Sequence, residues 1–207
     1  MKVLLINGSP HPNGCTFTAL SEVALALEKS GIETELFHVG KDPVRGCMGC
    51  GACWKSGNGR CIYEDAVNIA LEKAGAADGL VFGSPVHYAA ASGAITSFLD
   101  RFFYSGKGFA GKPGAAVVSC RRGGASAAFD QLNKYFTISG MPVVSSQYWN
   151  SVHGNTPEEV RRDEEGMQTM RTLGNNMAWL LRCIEAGKKA NILFPTPEPR
   201  KRTNFIR

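Results

Sequence analysis

The sequence predicts an α/β fold in which five parallel strands form one sheet with helices on both faces. Two observations predict it. Short apolar runs bounded by Gly recur along the chain, and a helical pattern of apolar residues separates each run from the next. Strands that are apolar throughout are buried on both faces, and a helix between two of them makes a right-handed crossover. With 207 residues, of which 43% are apolar, we expect a single domain over 1–207.

The first half of the chain alternates strands and helices in this way. The first and third strands are continuous apolar runs, the second alternates in polarity, and the two helices carry apolar residues at helical spacing. In chain order, these elements are predicted at 2–6, 16–29, 32–39, 64–74 and 79–82. The Gly- and Cys-rich segment 40–62 is predicted to be a loop.

The second half continues the alternation, beginning with a helix. Its elements are predicted at 92–103, 114–119, 125–137, 142–146 and 164–186, where the second and fourth are strands. Segments 147–163 and 188–207 are predicted to be irregular, the latter as a C-terminal tail. Five strands and five helices in this length predict a doubly wound sheet of flavodoxin type with strand order 2-1-3-4-5.

Charge and hydropathy exclude several classes of partner. The net charge is +5, and much of the excess lies in Arg200-Lys201-Arg202 and Arg207. We expect this tail to be a solvated terminus, or to fold over an anionic ligand or a second subunit. No basic run is interleaved with aromatic residues, so nucleic acid is not a predicted partner. No apolar run approaches the ~20 residues that span a bilayer, so no membrane partner is predicted.

The sequence also predicts the cellular compartment. No signal peptide is recognisable, since the N-terminal apolar run is short and no small-residue cleavage site follows it. We therefore expect a cytoplasmic protein. Because cytosolic thiols stay reduced, the 7 cysteines do not predict disulfides.

The loop after the first strand carries the polar groups that a phosphate requires. Ser9 and Thr16 offer hydroxyls, Asn13 offers an amide, and bare N–H groups precede the predicted helix. Such N–H groups attract anions, and this set suits a phosphate monoester. Because Gly-Lys-Ser/Thr and G-x-G-x-x-G are both absent, neither triphosphate hydrolysis nor a dinucleotide pyrophosphate is predicted. An ordinary strand-to-helix turn remains the alternative.

Two further loops follow the third and fourth predicted strands and meet the first loop at one edge of the sheet. The loop 84–93 has small residues around Tyr88, against which a flat ring could lie. The loop 119–124 offers Arg121 and Arg122 beside flexible glycines. Each loop could instead be a simple cap or a solvated turn.

Four cysteines of segment 40–62 form the pattern C-x2-C-x2-C-x7-C. They are Cys47, Cys50, Cys53 and Cys61. Clustered cysteines in a cytosolic protein indicate a metal site. Three interpretations stay open: a [4Fe–4S] cluster, a zinc ion, and free thiols in a structural or redox-active loop.

Together these motifs resemble the flavodoxin-like NAD(P)H-dependent FMN reductase family, which shares its fold with quinone reductases and iron–sulfur flavoproteins. The resemblance covers nearly the whole chain. The matching residues are Gly8-Ser9-Pro10, Asn13-Gly14-Cys15-Thr16, Gly83-Ser84-Pro85-Val86-His87-Tyr88, Ser92-Gly93, Phe98, Asp100-Arg101 and the cysteine loop.

The resemblance implies which residues hold FMN. The phosphate would lie against Ser9, His11, Asn13, Cys15 and Thr16. The flavin ring would lie between Pro85, Val86, His87, Tyr88 and Ala89 on one side and Ser119, Arg121 and Gly123 on the other. Many relatives have Asn in place of Cys15, which weakens one phosphate contact. No dedicated acid–base residue is implied, although His87 could donate a proton and Arg121 or Arg122 could stabilise reduced flavin.

The resemblance also implies a function. The chain would be an FMN-dependent oxidoreductase that passes reducing equivalents from NAD(P)H to a small-molecule acceptor such as a flavin or a quinone. One alternative is an electron-transfer iron–sulfur flavoprotein with FMN and a [4Fe–4S] cluster. A second alternative is a redox-sensing module without turnover. Relatives of this kind form dimers whose interface completes the flavin pocket, so a homodimer or higher homo-oligomer is expected.

Overall fold

The computed structural model describes residues 1–199, 201, 203 and 204, and within them a parallel sheet is flanked by helices. The strands are β1 (Lys2–Asn7), β2 (Glu33–His38), β3 (Gly79–His87), β4 (Ala90–Ala91), β5 (Gly114–Cys120) and β6 (Ser151–His153). The helices are α1 (Cys15–Lys29), α2 (Ala52–Ser56), α3 (Ala66–Gly75), α4 (Gly93–Ser105), α5 (Ala125–Ile138), α6 (Pro157–Arg162) and α7 (Glu164–Lys189). Arg200, Arg202 and Arg207 of the basic tail lie outside the described residues.

The sheet has the strand order that the sequence predicts. Its parallel strands run β2-β1-β3-β5-β6, and the short β4 pairs antiparallel with the end of β3. The predicted order 2-1-3-4-5 is confirmed, because β5 and β6 are the fourth and fifth parallel strands. After β1, the chain forms β2 on one side of it and β3 on the other. The strand order therefore reverses between β1 and β3, which is the switch point of a doubly wound sheet.

Two hydrophobic cores sandwich the sheet. Val3 and Leu5 face α1 and α7, while Leu4 and Ile6 face α3, α4 and α5, and all four side chains are fully buried. This burial on both faces is the reason for the continuous apolar run in β1. The apolar stripe of α7 packs against α1 in the first of these cores.

The third strand differs from its prediction. It was predicted at 79–82, but it continues to His87 and turns back through Tyr88 into β4. Gly83 does not end the strand; its missing side chain allows α1 to approach, since a Cβ there would lie 2.7 Å from Leu20 Cδ1. The predicted loop 84–93 is thus mostly a β-hairpin.

The fifth strand was predicted at the wrong place. Residues 142–146 contribute one isolated bridge, between Val143 and Gly114, and the strand itself is β6, in register with Val118–Cys120. Segment 147–163, predicted to be irregular, therefore contains β6 and α6. Likewise, the predicted loop 40–62 includes the five-residue α2. Among the described helices, none is long and apolar enough to cross a membrane.

Candidate functional site

Three connections meet at the carboxyl ends of the neighbouring strands β1, β3 and β5. We call them the first loop (8–14), the hairpin (84–91) and the third loop (121–124). The residues on either side of the hairpin bond to the first loop: Gly8 N–H donates to Gly83 O at 2.9 Å, and Ser92 Oγ donates to Gly8 O at 3.0 Å. In doubly wound sheets, ligands bind at such an edge, beside the switch point.

The first loop is held in one shape by hydrogen bonds to Ser9. Its N–H donates to Asn7 Oδ1 at 3.0 Å, and its buried Oγ accepts from His11 N–H at 3.1 Å. The ring of His38, at the end of β2, lies 2.8 Å from Ser9 O through Nε2. The ring and amide of His11 and Asn13 are exposed, so these side chains are accessible to a ligand at the edge of the sheet.

The first loop leads to the N-terminus of α1, which is built to receive an anion. Its N-cap is Gly14, which supplies no side-chain oxygen, and the first turn contains no acidic residue. The first intrahelical bond runs from Thr18 N–H to Gly14 O at 3.0 Å, so the N–H groups of Cys15, Thr16 and Phe17 precede the helical ladder. These groups and the positive end of the helix dipole together favour a phosphate.

Two predicted site residues from different strands are in direct contact. Thr16 Oγ1 and Ser119 Oγ lie 2.8 Å apart, and both side chains are buried. One hydroxyl donates to the other, and the second proton of the pair remains available for another acceptor. The contact ties the start of α1 to the end of β5.

Cys15 is turned toward the segment after β6. Its Sγ lies 3.7 Å from Gly154 O, to which the thiol donates. Burial raises the pKa of the Cys15 thiol, so it stays neutral and adds no negative charge where an anion would bind. A neutral thiol is compatible with the phosphate position that the resemblance implies.

The hairpin presents an aromatic residue at its tip. Tyr88 has a backbone φ of 59°, a left-handed conformation that is uncommon for a bulky residue, and its side chain is fully exposed. Pro85 and Val86 are half-buried below it, whereas His87 and Ala89 are exposed. The predicted ring-binding residues are thus presented along one side of the edge.

The third loop lies against the hairpin. Gly124 has a φ of 87°, and a Cβ there would lie 2.7 Å from Val86 Cγ1. Gly124 was not predicted, although a Gly pair before a helix is a signal of close backbone approach. The preceding Arg121, Arg122 and Gly123 are exposed, so two cationic side chains stand beside the hairpin.

The cysteine loop forms a separate cavity at the side of α4. All four predicted cysteines line it: Cys47, Cys50, Cys53 and Cys61. Its volume is about 20 Å³, roughly the room that one water molecule needs. Burial, with the neighbouring Cys61 and Cys50, raises the pKa of the Cys53 thiol. Within residues 1–199, 201, 203 and 204, no three His, Cys, Asp or Glu side chains stand in metal-ligating geometry.

One wall of this cavity is a buried arginine that was predicted only through the resemblance. Arg101 lies on α4 between Phe98 and Phe102, and its side chain is 1% exposed. A charged residue at a core position of an amphipathic helix is a sequence signal in its own right, because buried arginines need partners. The signal could have marked Arg101 as part of the cysteine site.

Comparisons with known proteins identify relatives of the chain. A family model described as NADPH-dependent FMN reductase matches residues 1–156. An iron-sulfur flavoprotein from Methanocaldococcus jannaschii is 32% identical over 194 residues, which cover 89% of this chain and 100% of that relative.

Two solved structures share the fold at low identity. RosB, solved with bound 8-demethyl-8-formylriboflavin-5′-phosphate, superposes with a TM-score of 0.72 at 19% identity, over 100% of this chain and 96% of that chain. The NAD(P)H:quinone oxidoreductase from Methanothermobacter marburgensis gives a TM-score of 0.64 at 16% identity, over 86% and 96% of the two chains. These two structures show the fold, whereas the family model and the relative from Methanocaldococcus jannaschii show the family. The chain therefore belongs to the NADPH-dependent FMN reductase family of flavin-dependent oxidoreductases.

Proposed function

We propose that the chain is an FMN-dependent oxidoreductase that passes reducing equivalents from NAD(P)H to a small-molecule acceptor such as a flavin or a quinone. The convergence of the uncapped α1 N-terminus with the hairpin carries the proposal. One end of this edge offers unpaired N–H groups, and the other offers Tyr88 and half-buried apolar side chains. A mononucleotide with one phosphate and one flat ring has matching chemistry at its two ends.

The residues present fit FMN. Ser9, Asn13 and Thr16, with the N–H groups of α1, would hold the phosphate, and the N-cap Gly14 has no side chain to compete for those N–H groups. Pro85, Val86 and Tyr88 would lie against the ring. When bound, FMN supplies hydride and single-electron chemistry, so the chain's task is to bind and orient the ring.

Charge at the site favours a reduced, anionic flavin. Arg121 and Arg122 stand exposed beside the hairpin, so their guanidinium groups can approach a ring that gains negative charge. His87 is exposed at the hairpin, where its imidazole is accessible to a bound ring. Its position suits proton supply at the ring edge without a dedicated acid–base residue.

A second candidate function is electron transfer through FMN and a [4Fe–4S] cluster. Its specific support is that four cysteines line one cavity, and four thiols are the donor set that such clusters require. The cavity is small, so loading would widen the loop. Gly49 and Gly51, both with a φ of 68°, give the loop backbone freedom for that change. Relatives named iron-sulfur flavoproteins add support.

We also propose a homo-oligomer. Tyr88, Tyr148 and Trp149 are 108%, 61% and 55% exposed, and aromatic side chains are enriched at protein interfaces. Sedimentation velocity tests this: a single species at the monomer mass at micromolar concentration would overturn it.

Anaerobic purification followed by spectroscopy and metal analysis tests both functions. Protein reconstituted with FMN should lose its visible flavin band when NADH or NADPH is added, and the band should return with a quinone. Absence of FMN binding at micromolar concentration would refute the flavoenzyme. About four irons and four sulfides per chain would support the cluster, and their absence would leave an FMN enzyme without one.

A further inference from the structure

We propose that Arg101 is a positioning residue for the cysteine loop that raises the reduction potential of the cluster held there. The inference rests on the proposed [4Fe–4S] site. It assigns to one buried side chain of α4 a role in redox tuning, separate from ligation and from the flavin edge.

The guanidinium of Arg101 uses all of its N–H donors at this place. Nε donates to Cys61 Sγ at 3.2 Å. Nη1 donates to Asp65 Oδ2 at 2.6 Å and to Arg45 O at 3.2 Å, and Nη2 donates to Asp65 Oδ1 at 2.9 Å and to Tyr63 O at 3.3 Å. Five donors with five acceptors fix the plane of the group, so the direction of the N–H toward sulfur is set by the fold.

Asp65 holds Arg101 in this orientation from the opposite side. Its two oxygens accept the paired bonds from the guanidinium, and Oδ1 also accepts from Val67 N–H at 3.0 Å as the N-cap of α3. The ring of Tyr63 lies 5.1 Å from Arg101 Cζ, a cation–π distance. One arginine thus connects α4, the start of α3 and both ends of the segment between Arg45 and Asp65.

A hydrogen bond and a positive charge at a ligand sulfur favour the reduced cluster. Reduction adds one electron and no proton, so the net charge becomes more negative by one unit. The electron would come from the reduced flavin. Arg101 is 1% exposed, so solvent screens its charge little and its effect on the sulfur persists. Hydrogen bonds to sulfur and local charge are established determinants of cluster potential.

The alternative is that Arg101 only braces the loop. The two roles differ in what they predict for Arg101→Met in an Asp65→Asn background. Replacing Asp65 by Asn keeps an efficient N-cap and keeps the Arg101 charge, but removes its compensating carboxylate. Removing that carboxylate raises the potential by itself, so Asp65→Asn serves as the background. Tuning by Arg101 predicts that adding Arg101→Met lowers the potential of this background, whereas a bracing role alone predicts cluster loss or an unchanged potential.

The experiment is an EPR-monitored redox titration of the anaerobically reconstituted full chain, with iron and sulfide measured for each variant. We expect Asp65→Asn to raise the midpoint potential. Adding Arg101→Met to Asp65→Asn should lower the ratio of reduced to oxidised cluster about tenfold at a fixed applied potential. For one electron, this corresponds to a midpoint potential that is lower by about 59 mV. The control Lys107→Met removes an exposed charge that binds Gly57 O at 2.6 Å in the same region and should shift the potential far less.

Each outcome decides the proposal. Unchanged potentials at wild-type iron content overturn it, and so does a lower potential in Asp65→Asn. Equal shifts in the double variant and in Lys107→Met also overturn it, because burial would then be irrelevant. A double variant that loses its cluster shows a bracing role and also overturns the proposal. Wild-type protein without iron and sulfide would instead refute the proposed cluster, and this inference with it.

Discussion

A single added charge at the start of α1 tests whether this helix holds the FMN phosphate. Asn13→Asp is nearly isosteric, and Asn13 is exposed immediately before the N-cap Gly14. The new carboxylate would lie close to any phosphate bound at the free N–H groups. It would also lie near the positive end of the helix dipole. The substitution should therefore lower the affinity for FMN but raise the stability of the protein without FMN.

The magnitude follows from Coulomb's law. At an effective dielectric of about 80 and a separation of about 5 Å, two unit charges repel by about 0.8 kcal/mol, and a phosphate with about two charges doubles this. About 1.6 kcal/mol corresponds to a dissociation constant about fifteenfold higher. In the empty protein, the dipole should instead stabilise the fold by about 0.3–1 kcal/mol.

Fluorescence titration with FMN and urea unfolding of the apoprotein measure the two effects. Asn191→Asp is the matched control, since Asn191 is exposed beyond the end of α7 and its change adds the same charge. Raising the salt to about 0.5 M should shrink the loss of affinity, because the charges are screened. An unchanged affinity at low salt, or equal losses in the two variants, would refute the placement of the phosphate.

Three further predictions concern packing, thiol chemistry and the cysteine loop. Gly83→Val should destabilise the protein by about 1–3 kcal/mol in urea unfolding because it forces α1 away from β3, while Gly93→Ala, with open space around it, should change little. Burial raises the pKa of the Cys15 thiol, so the rate of its alkylation should begin to rise at a higher pH than that of free cysteine. Mass spectrometry of protein alkylated at a series of pH values checks this, and a rise at lower pH would contradict it. Cys50→Ala should abolish iron and sulfide incorporation but keep FMN binding, whereas the exposed Cys183→Ala should keep both; metal analysis decides, and retained iron in Cys50→Ala would count against the site.

Several elements were predictable because their signals are local. The apolar run of β1 and the helical spacing of α1 and α5 predict these elements to within about a residue at each end. The sheet order also follows from alternation and handedness. The first loop was recognisable for the same reason, since Ser9, Asn13 and the glycine at 14 are neighbours along the chain and lie before a helix.

The last strand shows where local signals fail. The apolar pair Val143-Val144 predicts a strand, yet Val143 is 38% exposed and makes only one bridge. The strand forms instead at Ser151–His153, where it pairs with the end of β5 and buries Val152. An edge strand of three residues is selected by the partner that it meets, and that partner is over thirty residues away along the chain.

The chain's residue pattern alone accounts for the α/β class, the strand order and the presence of a phosphate-type loop, because hydrophobic periodicity and helix-start chemistry act over a few residues. Distant contacts account for the rest. Three of these contacts join residues that lie tens of positions apart along the chain. They are the hydrogen bond between Thr16 and Ser119, the close approach of Gly124 to Val86, and the bond from Arg101 to Cys61. Such pairs are formed by packing of whole elements, and their energies depend on burial that exists only in the folded chain.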